Sequence, residues 1–232
     1  MDNDRAAETL LTIRTLMERS ALYRGALAPI LLFIGALGVA GTIAGLLFHV
    51  YSPRAFVVLW AAVGLVCLAG SFLMVRRQAL KDHEPFWSPP TRRVALALLP
   101  AFTAGLFVGL FCLSRIGFGG NAFSARLGNM ELRGSLSGLD DAIDVTWLPL
   151  LWIILYGCAL NAAGFFMMRG IRILGWVFVL GGAAVLFTVW PEHHSFSHPQ
   201  QLGHLLMGAF FGLLHLAAGG YVHFTETGKN AA

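Results

Sequence analysis

Six of the eight histidines in this 232-residue chain fall between His193 and His223, and they carry most of its chemical potential. Glu192, His193, His194 and His198 share one stretch with no Lys or Arg to repel a cation, a donor set suited to a divalent Zn or Cu ion. Their spacing matches no established metal motif, so a solvated, pH-responsive loop is the competing reading. His204 and His215 are candidate cofactor ligands, with Asn161 in another apolar stretch as a polar partner for His215. Helical geometry places these two imidazoles about 20° apart around the axis but about 16 Å apart along it, too far to share one haem iron. His204 would need an opposing ligand, for which His49 is the candidate, and haem is the weaker of the two cofactor readings.

The region 114–146 adds Glu131, Asp140, Asp141 and Asp144, which together with the histidines could form a carboxylate and imidazole site. The same residues also read as a short interfacial helix with aspartates favourably placed near its N-terminus. An ionisable group deep in a bilayer is a functional candidate by default, and His215 falls at such a depth. A bond from His215 to Asn161 or Tyr156 that only fixes helix packing is the structural alternative. The sequence carries no nucleophile constellation, phosphate-binding glycine loop or CxxC pair, and the reading leans away from an enzyme.

These side chains must be positioned by membrane helices. The composition is 57% hydrophobic and 12% charged, far more apolar than an ordinary soluble domain. Six apolar stretches, at 26–48, 55–75, 94–113, 147–168, 173–190 and 203–222, predict an all-α, polytopic transmembrane bundle with one domain over 26–223 and a short tail at 224–232. The fifth stretch is the shortest. Residues 1–25 place Ala6, Leu10, Ile13, Met17 and Ala21 at helical spacing, predicting an amphipathic helix on the membrane surface or on the ends of the spans. The first apolar run follows an acidic segment and lacks a cleavage pattern, so no removable signal peptide is expected.

Twelve of the sixteen basic residues fall on one side: Arg5, Arg14, Arg19, Arg24, Arg76, Arg77, Lys81, Arg92, Arg93, Arg169, Arg172 and Lys229. Arg54, Arg115, Arg126 and Arg133 fall on the other. The positive-inside rule then puts both termini inside, and the expected location is the cell's inner (plasma) membrane. The net charge of +4 belongs to this topology and does not indicate a nucleic-acid partner. Cys67, Cys112 and Cys158 all lie in apolar stretches and suggest no disulfide framework.

Gly41 and Gly45, Gly105 and Gly109, and Gly208 and Gly212 are each spaced by four, a pattern that permits close helix approach. Pro100 inside the third stretch should free the Leu96 carbonyl and kink the helix. Tyr51, Trp60, Trp147 and Trp190 read as one interfacial belt, and Tyr23, Trp176 and Tyr221 as the other. The two halves show no inverted repeat of the transporter kind.

The stretch IRTLMERSALYRGALAPILLF, the segment WIILYGCALNAAGFFMMRGIRILGWVF and the closing FGLLHLAAGGY resemble a bacterial family of multi-spanning membrane proteins with no assigned activity. Such members open with an IRxxMERS-type amphipathic helix and end with a span containing GxxHxxxG, matched here by Gly212, His215 and Gly219. The resemblance implies six spans, an architectural role for His215 and a regulatory setting. The 114–146 loop and His193, His194 and His198 depart from that pattern. The expectation is a non-catalytic accessory, scaffold or sensing subunit, contacting the lipid bilayer and membrane-protein partners or further copies of itself. Metal or haem binding through the histidine-rich loop and final helix is the second expectation. A small-molecule channel or transporter lined by Asn161, His215 and the Pro100 kink is the third.

Overall fold

A computed structural model of the protein describes residues 26–81, 87–118, 147–188 and 199–230. The 1–25 amphipathic helix, the acidic cluster Glu131, Asp140, Asp141 and Asp144, and the candidate metal ligands Glu192, His193, His194 and His198 lie outside the described residues.

The described chain forms helices and, among the described residues, no strand. In order they are α1 (Ala26–Leu47), α2 (Pro53–Lys81), α3 (Pro89–Phe118), α4 (Leu148–Ala163), α5 (Arg169–Thr188) and α6. Helix α6 has three parts: Pro199–Met207, a π-helical segment Gly208–Leu214, and His215–Asn230. It therefore continues into what the sequence reads as a tail from 224.

Prolines mark where several of these helices begin. Pro53, Pro89 and Pro199 occupy the first helical position and Pro149 the second, where a missing N–H costs nothing. Ser52 caps α2, its hydroxyl accepting from the Ala55 N–H at 3.3 Å while its carbonyl accepts from Phe56. Helix α1 ends in a Schellman motif: the Val50 N–H reaches the Gly45 carbonyl at 2.9 Å and the His49 N–H the Leu46 carbonyl at 3.3 Å. His49 sits between them with φ of 51°, the left-handed conformation such a cap requires.

Five helices contain stretches long and apolar enough to cross a membrane: α1, α2, α5, Thr91–Ser114 of α3 and Gln200–Thr225 of α6. Large apolar side chains project outward from them, with Phe107 at 70% and Phe187 at 79% exposure, as expected of a surface solvated by lipid. The shortest helix is α4, not the fifth as expected. Its 16 residues rise about 24 Å, less than the roughly 30 Å hydrocarbon core. It stops because the chain turns at Gly164, where an added Cβ would lie 2.8 Å from the Arg172 backbone nitrogen. The apolar run to 168 thus includes a turn, across which Arg172 lies over the Phe165 ring at 5.4 Å.

Close approaches fix how the helices run. Helix α6 pairs antiparallel with α1: Gly219 meets Leu32, Leu216 meets Gly35, Gly212 meets Val39, Gly208 meets Thr42 and His204 meets Gly45. A Cβ on Gly38 would stand 2.5 Å from the Phe211 carbonyl oxygen, so these two backbones touch. Helices α4 and α5 are likewise antiparallel, Gly157 facing Gly175 and Phe178, and Gly182 facing Ile153 and Ile154. Helix α3 seats Trp152 of α4 over Gly105 and Gly109, with the indole N–H donating to the Gly105 carbonyl at 3.0 Å. Pro100 is accommodated inside an α3 that continues as one helix, where the Thr103 hydroxyl takes up the carbonyls of Leu99 and Pro100.

One core cluster joins Leu27, Ala28 and Leu31 of α1 to Ile153, Leu160, Ile171, Leu174, Phe178 and Val222. A second gathers Phe56, Val57 and Trp60 of α2 with Cys112, Leu148 and Met207. Helix α6 contributes to both. It therefore ties the two clusters together, and its histidines at 204 and 215 are fully buried between them.

Candidate functional site: two buried histidines on α6

His204 and His215 are both 0% exposed, and each has both ring nitrogens hydrogen-bonded. At His204, the Trp60 indole N–H donates to Nδ1 at 3.0 Å. An indole nitrogen can only donate, so Nδ1 must be unprotonated. Nε2 then carries the proton and donates to the Val50 carbonyl at 2.9 Å. The two partners thus define one neutral tautomer.

The local sequence makes room for this ring. Gly45 lies so close to His204 that any Cβ there would enter the imidazole. Phe56 covers it at 4.8 Å between ring centroids, and the Thr42 hydroxyl is shared between the carbonyls of Gly38 (2.9 Å) and His204 (3.2 Å). Val50 is aimed by the Schellman motif that ends α1. The residue opposite His204 is therefore Val50, through its backbone, and not His49. The His49 ring is exposed and meets the Tyr51 hydroxyl at 3.2 Å.

At His215 the arrangement differs. The Phe210 carbonyl only accepts, so His215 Nδ1 is the donor at 3.1 Å, and in the neutral ring Nε2 accepts from the Tyr156 hydroxyl at 2.8 Å. Phe210 lies within the π-helical segment, while the His215 backbone N–H turns to the Gly212 carbonyl. The widened turn leaves the Phe210 carbonyl to the imidazole. Aromatic rings close the site: Phe211 stacks on His215 with centroids 6.0 Å apart, Phe178 meets it edge-on at 5.3 Å, and Phe102 stacks on Tyr156 at 6.0 Å.

Asn161 takes no part in this pair. It packs at the α4–α5 crossing, where a Cβ on Gly175 would lie 2.7 Å from its backbone nitrogen and 3.1 Å from its side-chain nitrogen. Of the two sequence-derived partners for His215, Tyr156 is the one bonded. Trp60 also departs from expectation, being 4% exposed and bonded to His204 instead of sitting in an interfacial belt. A buried imidazole must find partners, and an indole inside an apolar helix is an available donor; that pairing was the signal in the sequence.

Compared with protein families, curated proteins and solved structures, the chain finds no match.

The geometry of the two histidines must therefore speak for itself. A metal or haem iron at either ring would have to displace an existing bond to Trp60, Val50, Tyr156 or Phe210. Among the described residues, no three His, Cys, Asp or Glu side chains gather where they could hold a metal ion. What the arrangement does chemically is tie helices together: His204 joins α6 to α2 and the α1–α2 connection, and His215 joins α6 to α4.

Proposed function

We propose that this chain is a non-catalytic accessory, scaffold or sensing subunit of a membrane assembly, built from six helices that all cross a bacterial inner membrane. The observation that carries it is the use of the two buried histidines: every ring nitrogen is committed to a protein partner inside an aromatic, close-packed interior. A transport pathway would instead bring water to a group such as His215. Counting α4 as a crossing rests on its antiparallel packing against α5 and on apolar residues continuing through the turn after Ala163. The inside placement of both termini rests on the positive-inside rule, with Arg76, Arg77, Lys81, Arg92, Arg93, Arg169 and Arg172 at one end of the bundle. Membership of the family with the GxxHxxxG span is part of the same reading, and Gly212 and Gly219 packing on α1 supports an architectural use of that pattern.

The test is extraction into lipid nanodiscs followed by native mass spectrometry and metal analysis. The proposal expects a defined assembly with a further copy or another membrane polypeptide. A monomer carrying one metal ion or haem per chain would overturn it in favour of a cofactor protein, and solute flux into proteoliposomes would overturn it in favour of a transporter.

A further inference from the structure

The two buried histidines differ in what a proton would do to them. At His215 the partner on Nε2 is a phenol, which has lone pairs as well as a hydrogen; if the ring gains a proton, the Tyr156 oxygen can turn and accept. His204 has no such freedom. Its Nδ1 faces the Trp60 indole N–H, a group with a hydrogen and no lone pair, so protonation sets two N–H groups against one another across 3.0 Å. The bond on the other side survives, because Nε2 still donates to the Val50 carbonyl. Only one half of the arrangement is proton-sensitive.

From this asymmetry we propose that His204 is a proton-operated latch, releasing Trp60 and the adjoining part of α2 from α6 when it gains a proton, while α6 stays tied to the α1–α2 connection. The location suits the role: His204 lies about 8 Å along the helix from Pro199, and its bond to Val50 places it beside a connection whose His49 is exposed. The faces meeting His204 carry Thr42 and Gly45 from α1, Phe56 and Trp60 from α2, and none of these titrates as an acid or base near neutrality. Pro149 of α4 packs beside it on Gly203 and does not titrate either. The ionisable groups of the connection are His49, Tyr51 and Arg54. The ligand is thus the proton itself, arriving from the side of the membrane that holds the α1–α2 connection. This adds a specific input to the sensing role proposed above and needs no partner for its test.

The indole Nε1 resonance of Trp60, identified by its loss in Trp60→Phe, reports the bond directly in nanodisc-embedded full chain. Between about pH 8 and about pH 4, a range that spans imidazole titration, it should move reversibly upfield as the bond is lost. His204→Gln supplies a carbonyl for Trp60 and an amide for Val50 but does not titrate, so its Trp60 resonance should stay in place. His49→Gln should titrate like the wild type. An unchanged wild-type resonance, or a shift that persists in His204→Gln or vanishes in His49→Gln, overturns the latch. Where His204→Gln fails to fold, the wild-type and His49→Gln titrations still decide. A flat titration leaves the subunit proposal standing, because that rests on assembly and not on protonation.

Discussion

Tyr156 is the residue on which the His215 site turns, because it is the side chain from α4 that reaches the ring nitrogen. Replacing it by Phe keeps the aromatic packing against Phe102, Phe178 and Phe211 but leaves His215 Nε2 without its donor. Hydrogen bonds between membrane helices are worth about 0.6 kcal/mol on average and up to about 1.7. We expect Tyr156→Phe to destabilise the fold near the upper end of that range, measured by denaturant unfolding in mixed micelles; wild-type stability would mean the bond contributes nothing. His49 offers a contrast, since its backbone conformation matters more than its ring. His49→Val puts a β-branched residue at φ of 51° and should cost about 1–2 kcal/mol, whereas His49→Gly should be tolerated. Thermal denaturation of the two variants side by side distinguishes them. The burial of His204 and His215 follows from their place in an apolar stretch. Their partners were less legible in the sequence: Val50 acts through a carbonyl, which no side-chain pattern reveals, and Trp60 has the composition of a belt residue.

At the scale of elements, the interface between α1 and α6 depends on backbones that touch. Gly38 has the Phe211 carbonyl 2.5 Å from where its Cβ would be, and a carbonyl cannot swing aside as a flexible side chain can. Gly38→Ala should therefore cost about 1–3 kcal/mol by overpacking, while Gly220→Ala, with nothing within 4 Å, should be neutral or stabilising. Equal stability of the two variants in the same unfolding assay would contradict the packing described here. The glycine pairs at 41 and 45, 105 and 109, and 208 and 212 announced close helix approach; Gly208 and Gly212 serve it against α1, whereas Gly45 makes room for the His204 ring and Gly105 and Gly109 for the Trp152 indole. Helix order and approximate bounds were also legible, because apolar runs and initiating prolines mark them. The π-helical segment was not: its composition, GAFFGLL, is that of an ordinary membrane helix, and the widened turn arises from how Phe210, Phe211 and His215 pack against α4 and α5. The early stop of α4 was hidden for a similar reason, since Phe165, Phe166, Met167 and Met168 keep the run apolar through the turn.

For the whole molecule, the decisive question is how many times the chain crosses. If α4 completes a crossing despite its length, reporter fusions at 83 and after 225 should both show a cytoplasmic signal, with green fluorescent protein bright and alkaline phosphatase inactive, and a fusion at 51 should show the reverse. A periplasmic signal after 225 would leave five crossings and place α4 as a helix that enters and returns. The closeness of α1 and α6 carries a further consequence for biosynthesis. Thr42 and His204 are 162 residues apart, so at about 5–20 residues per second a ribosome needs roughly 8–30 s to make the partner that α1 is shaped to receive. Throughout that interval the α1 surface carrying Gly35, Gly38 and Gly45 stands open in the bilayer. The contacts of α1 with α2, where Gly41 meets Trp60 and Val63 and Gly70 meets Phe33, involve only residues made early and do not wait for α6.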